Sequence, residues 1–265
     1  MKAIAILCRT LPPPASMEFY RSFLDLGYHV SFFPDHAPPE ICAKDLDVVA
    51  IGEEAARAAG YFDFCPTFRR ASRTVAWDKA LFYFCRLNPK FSHVWFIEDD
   101  VFVPSTDIIK QLDQRYPDAD VLSRDNIVNT TGETDSWYWW QFIPRDVFPL
   151  PWAWSLVCAA RLSQRLLVNL DQLLRISGDW LHTDTAPVAT QRYRAPFIEY
   201  IFHTLALSKG MSVATAAELN QITWRGTWLP HELKATAIAH PVKDQELHAA
   251  ARARMAAAGS AASIA

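Results

Sequence analysis

The stretch HVWFIEDDVFVP (His93–Pro104) decides the fold class. Its apolar run predicts a buried strand, and the run stops at Glu98, Asp99 and Asp100 before apolar residues resume. Ligands of open α/β sheets bind outside the carboxyl ends of the strands, where these acids would lie. Three adjacent carboxylates repel one another unless a cation neutralises them. The pattern therefore predicts a site for Mg²⁺ or Mn²⁺, with an ordinary solvated turn as the alternative.

The bulk composition restricts the class of protein. With 265 residues, 51% of them hydrophobic, the chain can bury a large core. A net charge of -3 gives no general basic field, which argues against nucleic-acid binding. The five cysteines include no C-x-x-C pair, and the apolar start of the chain is short for a signal segment or membrane span. We expect a cytoplasmic protein without a transmembrane segment, and leave peripheral membrane contact open.

Strand and helix patterns alternate around the opening stretch, which is typical of a parallel α/β sheet. We predict a mostly parallel Rossmann-type sheet flanked by helices, with a smaller second region. A single domain is expected over residues 1–244, with a first half at about 1–125 and a second half at 126–244. An alanine-rich helix or tail follows at 245–265. Strands are predicted at 2–8, 29–35, 46–52, 93–98, 119–123 and 211–215, and helices at 16–26, 75–84, 105–116 and 196–208.

The strand ending in EDD resembles the DXD-type motif of glycosyltransferases of the GT-A fold, in the variant seen in N-acetylglucosaminyltransferases. The resemblance extends over about residues 2–243, at the level of fold and motif order. It implies that the half at about 1–125 binds the nucleotide and that the smaller half at 126–244 forms the acceptor side. It implies that Asp100 ligates the metal directly. It also implies that Glu98 and Asp99 contact ribose, metal-bound water or the sugar.

The segment IAHPVKD (238–244) fits the C-terminal part of the same resemblance. It implies that His240 is a metal ligand and that Lys243 meets the diphosphate of the donor. A neutral imidazole in a site of oxygen ligands would favour Mn²⁺. The alternative is that His240 packs beside Pro241 in a surface turn.

A catalytic base is expected from Glu199, near the start of a helix in which Pro196 is predicted at position N1. The resemblance implies that an acid in this late region deprotonates the acceptor hydroxyl in inverting enzymes. A favourable interaction of Glu199 with the helix N-terminus is the alternative. Asp179 and Asp184 are substitutes for the base.

Four further residues are candidates for the nucleotide side. Thr10 and Asp35 end the first two predicted strands, where ribose or base would bind. Arg73 and Lys79 combine positive charge with the beginning of an apolar helix, an arrangement that suits phosphate oxygens. Neither G-x-G-x-x-G nor G-x-x-x-x-G-K-[ST] occurs, which argues against dinucleotide oxidoreductases and P-loop enzymes.

The segment WYWWQFIPRDVFPLPWAW (137–154) predicts an irregular aromatic wall. Trp152 and Trp154 are candidates to contact an acceptor, and packing in the core is the alternative.

The resemblance and these residues together predict a metal-dependent enzyme of polysaccharide biosynthesis type, and the candidate base favours inversion. It would move a sugar from a nucleotide-diphosphate donor, with UDP favoured, to a hydroxyl of a glycan or lipid-linked acceptor. A nucleotidyltransferase of sugar phosphates is one alternative, although LPPP (11–14) stands where such enzymes usually carry a glycine-rich basic loop. A non-catalytic module that binds a glycan or partner is the other.

Overall fold

The computed structural model describes residues 1–36, 47–65, 74–182, 196–224 and 226–262. The strands are β1 (Lys2–Cys8), β2 (Tyr28–Pro34), β3 (Asp47–Val48), β4 (His93–Glu98), β5 (Val121–Ser123), β6 (Ile127–Asn129), β7 (Trp152–Trp154), β8 (Ala159–Ser163), β9 (Val213–Thr215), β10 (Gln221–Ile222) and β11 (Ala239–His240). The α-helices are α1 (Pro14–Arg21), α2 (Glu53–Ala58), α3 (Ala76–Phe82), α4 (Thr106–Arg115), α5 (Gln164–His182), α6 (Ile198–Ser208) and α7 (Gln245–Ala262).

A seven-stranded sheet with the order β3-β2-β1-β4-β8-β5-β9 forms the centre of the molecule. Every pairing is parallel except those of β8, which runs antiparallel to both β4 and β5. The prediction of a mostly parallel α/β sheet flanked by helices is confirmed. The antiparallel direction of β8 was not predicted, because a short apolar run has the same pattern in either direction.

Strand β4 lies in the middle of this sheet and supplies side chains to the cores on both faces. Phe96 packs with residues of α3, α5 and α6 on one face. Trp95 packs with residues of α1 and α4 on the other. The continuous apolar run of β4 is what burial on both faces requires. Its acids therefore appear only where the strand leaves the sheet.

A buried ion pair ties β8 to α4. The fully buried Arg161 donates from Nη1 to Asp113 Oδ1 over 2.6 Å. The same carboxylate accepts the hydroxyl of Tyr28 at 2.6 Å and the indole N–H of Trp95 at 3.0 Å. These bonds hold the pKa of Asp113 below its ordinary value although burial would raise it. The pair thus stays ionised inside the fold.

The tryptophan-rich segment is more ordered than predicted. It contains a 3₁₀ turn at Tyr138–Phe142, and β7 pairs antiparallel with β6 in a separate two-stranded sheet. Helix α6 begins at Ile198 with Phe197 as N-cap, so Pro196 does not stand at N1 as predicted. The short helix α2 was also not predicted.

The C-terminal helix α7 is anchored to the body rather than frayed throughout. Ala251 is buried beside Phe102. The Arg252 guanidinium lies 3.8 Å from the ring centroid of Phe19 and donates to the carbonyl of Val103 over 3.1 Å. This helix therefore braces the chain directly after the acid triplet.

Within the described ranges, no helix combines the length and the apolar character that crossing a bilayer requires.

Candidate functional site

The acid triplet forms a tight turn at the carboxyl end of β4. The amide of Asp99 donates to the carbonyl of Leu7 over 2.9 Å, and the amide of Val101 donates to the carbonyl of Glu98 over 3.0 Å. All three acidic residues are half-buried. A fully solvated turn would expose them, so their partial burial fits the predicted crevice better than the alternative.

His240 meets this triplet although it is remote in sequence. Ala239 and Phe102 form an antiparallel bridge, and the amide of Val242 donates to the carbonyl of Asp100 over 2.7 Å. These main-chain bonds place the imidazole Nε2 3.3 Å from Asp100 Oδ1 and 3.7 Å from Glu98 Oε2. The predicted metal ligands Asp100 and His240 are thus brought together, and Glu98 joins them.

The electrostatics of the turn favour a cation. Burial, followed by the charge of Asp100, raises the pKa of Asp99 to about 6. Burial also raises the pKa of Glu98. Burial would lower the pKa of His240, but its hydrogen bond to Asp100 and the nearby negative charges raise it overall. These shifts express a surplus of negative charge in a poorly solvated place, which a divalent ion would offset.

Glu98 is held by two groups that the sequence did not indicate. Trp77 of α3 donates its indole N–H to Glu98 Oε1 over 2.8 Å, which leaves Oε2 on the His240 side. Cys158 approaches from the residue before β8, and ligand atoms of Cys158, Glu98 and His240 all lie within 4.8 Å of one another. Burial and the charge of Glu98 raise the pKa of this thiol well above its ordinary value.

Nothing in the local sequence distinguished these two residues. A tryptophan in an apolar helix usually indicates a core residue, and a cysteine without a spacing motif usually indicates a buried thiol. Only the pairing of β4 with β8 and the packing of α3 bring them to the site.

Glu199 lies in the first turn of α6 and is only 5% exposed. Burial, followed by the charges of Glu98 and Asp125, raises the pKa of its carboxyl to about 8. Its Oε2 has no hydrogen-bond partner among the residues that the structure describes. The main chain of Glu199 is fixed by a bond from the amide of Ser155 to its carbonyl, at 3.0 Å. A buried carboxyl whose pKa is raised in part by the charge of Glu98 suits proton transfer at this crevice.

The nucleotide-side candidates lie around the ends of β1 and β2. Asp35 Oδ1 accepts the amide of Ala76 over 2.6 Å, at the beginning of α3. The buried Lys79 donates from Nζ to the carbonyls of Asp35 at 2.6 Å and Pro34 at 3.2 Å. These bonds show that Lys79 ties α3 to β2, and phosphate contact by its remaining donor stays a prediction.

The other candidates have less defined surroundings. Thr10 is exposed beside Arg9, whose amide donates to Asp99 Oδ2 over 3.3 Å. Lys243 is exposed and directly follows Val242, the residue bonded to the main chain of Asp100. Arg73 and the substitute base Asp184 lie outside the described residues, and Asp179 falls within the last turns of α5.

The two acceptor candidates differ in burial. Trp152 is 1% exposed, and its indole N–H donates to the carbonyl of Phe148 over 2.8 Å. Trp152 therefore packs in the core, and the prediction that it contacts an acceptor is wrong, because its ring has almost no exposed surface. Trp154 is half-buried and stacks on Trp137, with centroids 4.4 Å apart and planes inclined by 6°. Trp137 stacks in turn on Phe197, which immediately precedes α6.

No protein-family model matches the chain, and no curated protein matches its sequence. The geometry of the site therefore carries the functional conclusion.

Proposed function

We propose that the protein is a metal-dependent glycosyltransferase that uses a nucleotide-diphosphate sugar. The observation that carries the proposal is the meeting of His240 with Glu98 and Asp100 at the carboxyl end of the central strand β4. This edge is where open α/β sheets bind their ligands. The GT-A resemblance of the EDD motif agrees with that position.

The residues present fit a divalent ion. Two carboxylates and one imidazole form a mixed oxygen and nitrogen donor set, which suits Mn²⁺ and also accepts Mg²⁺. When bound, the ion would supply Lewis-acid stabilisation for charge that develops on the departing diphosphate. Lys243 is exposed one residue beyond the bond that joins Val242 to Asp100, so its ammonium is available to the same phosphates.

The ends of β1 and β2 would hold the nucleoside. The Asp99 carboxylate accepts a hydrogen bond from the amide of Arg9, so it faces the end of β1 rather than His240. Thr10 follows on the exposed side, and Asp35 is half-buried at the end of β2. These groups provide acceptors and a hydroxyl for ribose and base.

Glu199 would accept the proton of the acceptor hydroxyl. Its raised pKa makes it a stronger base than an exposed glutamate, and general bases of this kind contribute about 10²–10⁴-fold. A dedicated base beside the donor site supports an inverting reaction. The stacked Trp154 and Trp137, next to Phe197 at the start of α6, would support a glycan or lipid-linked acceptor.

The proposal is tested by calorimetry with UDP in the presence and absence of Mn²⁺. We expect binding by the wild-type protein only with Mn²⁺, and loss of that binding in Asp100→Asn. Asp135→Asn serves as the matched control, because Asp135 is an exposed acid in the loop before the 3₁₀ turn. A panel of nucleotide sugars, assayed for release of the nucleoside diphosphate, then identifies the donor.

Two other outcomes would indicate a different function. Binding of a nucleoside triphosphate with release of pyrophosphate from a sugar phosphate would show a nucleotidyltransferase. Metal-independent binding of glycans that Asp100→Asn leaves unchanged would show a binding module. Either result would overturn the proposed activity.

A further inference from the structure

We propose that the thiol of Cys158 is a ligand of the metal at this site, so that the site prefers thiophilic transition ions such as Zn²⁺, Co²⁺ and Cd²⁺ over Mg²⁺. The inference deepens the proposed function and rests on its metal site. Its starting point is geometric, since one ligand atom each of Cys158, Glu98 and His240 lie within 4.8 Å of one another.

The fold fixes Cys158 at this position. Its carbonyl accepts the amide of Glu98 over 2.9 Å, which extends the antiparallel pairing of β4 and β8 by one step. His240 belongs to β11 and follows Ala239 in that strand. Ala239 and Phe102 exchange two main-chain hydrogen bonds, of 2.8 and 3.0 Å. The three donors thus come from three main-chain segments that are bonded to one another. Such a site is pre-organised rather than assembled by a flexible loop.

The spacing between His240 and Glu98 is already that of an occupied site, and Cys158 lies within 4.8 Å of both. Ligand bonds of about 2.0–2.3 Å in tetrahedral geometry separate donor atoms by roughly 3.3–3.8 Å. His240 Nε2 already lies 3.7 Å from Glu98 Oε2. The indole of Trp77 holds the other oxygen of Glu98, so the carboxylate is oriented by a second partner, as is usual for metal ligands. Small side-chain movements would complete the site.

The donor types decide which ion is preferred. A thiolate is a soft ligand that selects Zn²⁺ and similar ions, whereas Mg²⁺ takes oxygen ligands in octahedral geometry. On binding, the Cys158 thiol would release its proton to solvent as the sulfur–metal bond forms. No change of oxidation state is involved. Asp100, 3.3 Å from His240 Nε2, stands beside the cluster as an additional oxygen donor.

The experiment is a titration of the full-length protein with Co²⁺ and with Cd²⁺, followed by the charge-transfer absorption that only a thiolate–metal bond gives. We expect one equivalent of ion to produce the band in the wild-type protein. In Cys158→Ser the band should disappear and the affinity for Cd²⁺ should fall about tenfold or more, while Mg²⁺ binding stays unchanged. Cys85→Ser is the matched control, because Cys85 is a buried cysteine outside the cluster.

A second variant guards against a folding defect in Cys158→Ser. His240→Ala leaves the thiol in place but removes a ligand of the same cluster, so it should weaken the wild-type band. Absence of the band in the wild-type protein, or its persistence in Cys158→Ser, would overturn the inference. Metal-dependent UDP binding without the band would reject the inference alone. The band without any UDP binding would reject the glycosyltransferase proposal alone.

Discussion

Replacing Glu199 with Gln should stabilise the protein at neutral pH and, if Glu199 is the proposed base, should slow sugar transfer. The carboxyl has a pKa of about 8 when folded, against an ordinary value of 4.5, chiefly because it is buried. Between these two values the folded state binds more protons than the unfolded state, so the free energy of unfolding falls as pH rises. Gln resembles the protonated form and does not carry this pH-dependent cost.

The magnitude follows from the same two values. Each pH unit within the window costs about 1.4 kcal/mol for one group. Between pH 5 and pH 7 the stability of Glu199→Gln relative to wild type should therefore rise by about 2.5 kcal/mol. Above pH 8 the difference should level off, since the folded carboxyl also ionises there.

The assay is urea unfolding of both proteins at pH 5, 7 and 8.5, with the slope of the transition checked for equality. Glu133→Gln is a matched control, because Glu133 is exposed and its substitution removes no burial cost. A difference between Glu199→Gln and wild type that changes by less than about 0.5 kcal/mol from pH 5 to pH 7 would refute the reasoning. The same variant should lose about 10²–10⁴-fold in transfer rate if Glu199 is the base.

Three further substitutions test other parts of the structure. Asp113→Ala should lower the free energy of unfolding, measured in urea, by about 3–5 kcal/mol, because it leaves the Arg161 guanidinium buried without its counter-charge. A loss below about 1 kcal/mol would contradict this. Arg252→Ala should lower the free energy of unfolding by about 1–2 kcal/mol, since it removes the guanidinium stacked on Phe19 and the hydrogen bond to the carbonyl of Val103. An unchanged thermal unfolding midpoint would show that Arg252 does not anchor α7. Trp154→Ala should lower transfer to a glycan acceptor and leave UDP binding by calorimetry unaltered, whereas equal loss of both would place Trp154 outside the acceptor side.

The sequence determined the local elements of this protein. The apolar run of β4 predicted a buried strand, and the structure places it in the middle of the sheet. The helices α4 and α6 were predicted nearly at their observed positions. These features depend on apolar periodicity and on residues at helix ends, which neighbouring positions in the chain reveal.

The tertiary structure decided which of the candidate residues meet. His240 reaches the acid triplet through main-chain bonds from Val242 to Asp100 and between Ala239 and Phe102, which no local pattern predicts. Cys158 lies beside Glu98 only because β8 runs antiparallel to β4. Direction of pairing and contacts between remote segments follow from the packing of the whole chain, since the same apolar run suits either direction and many neighbours.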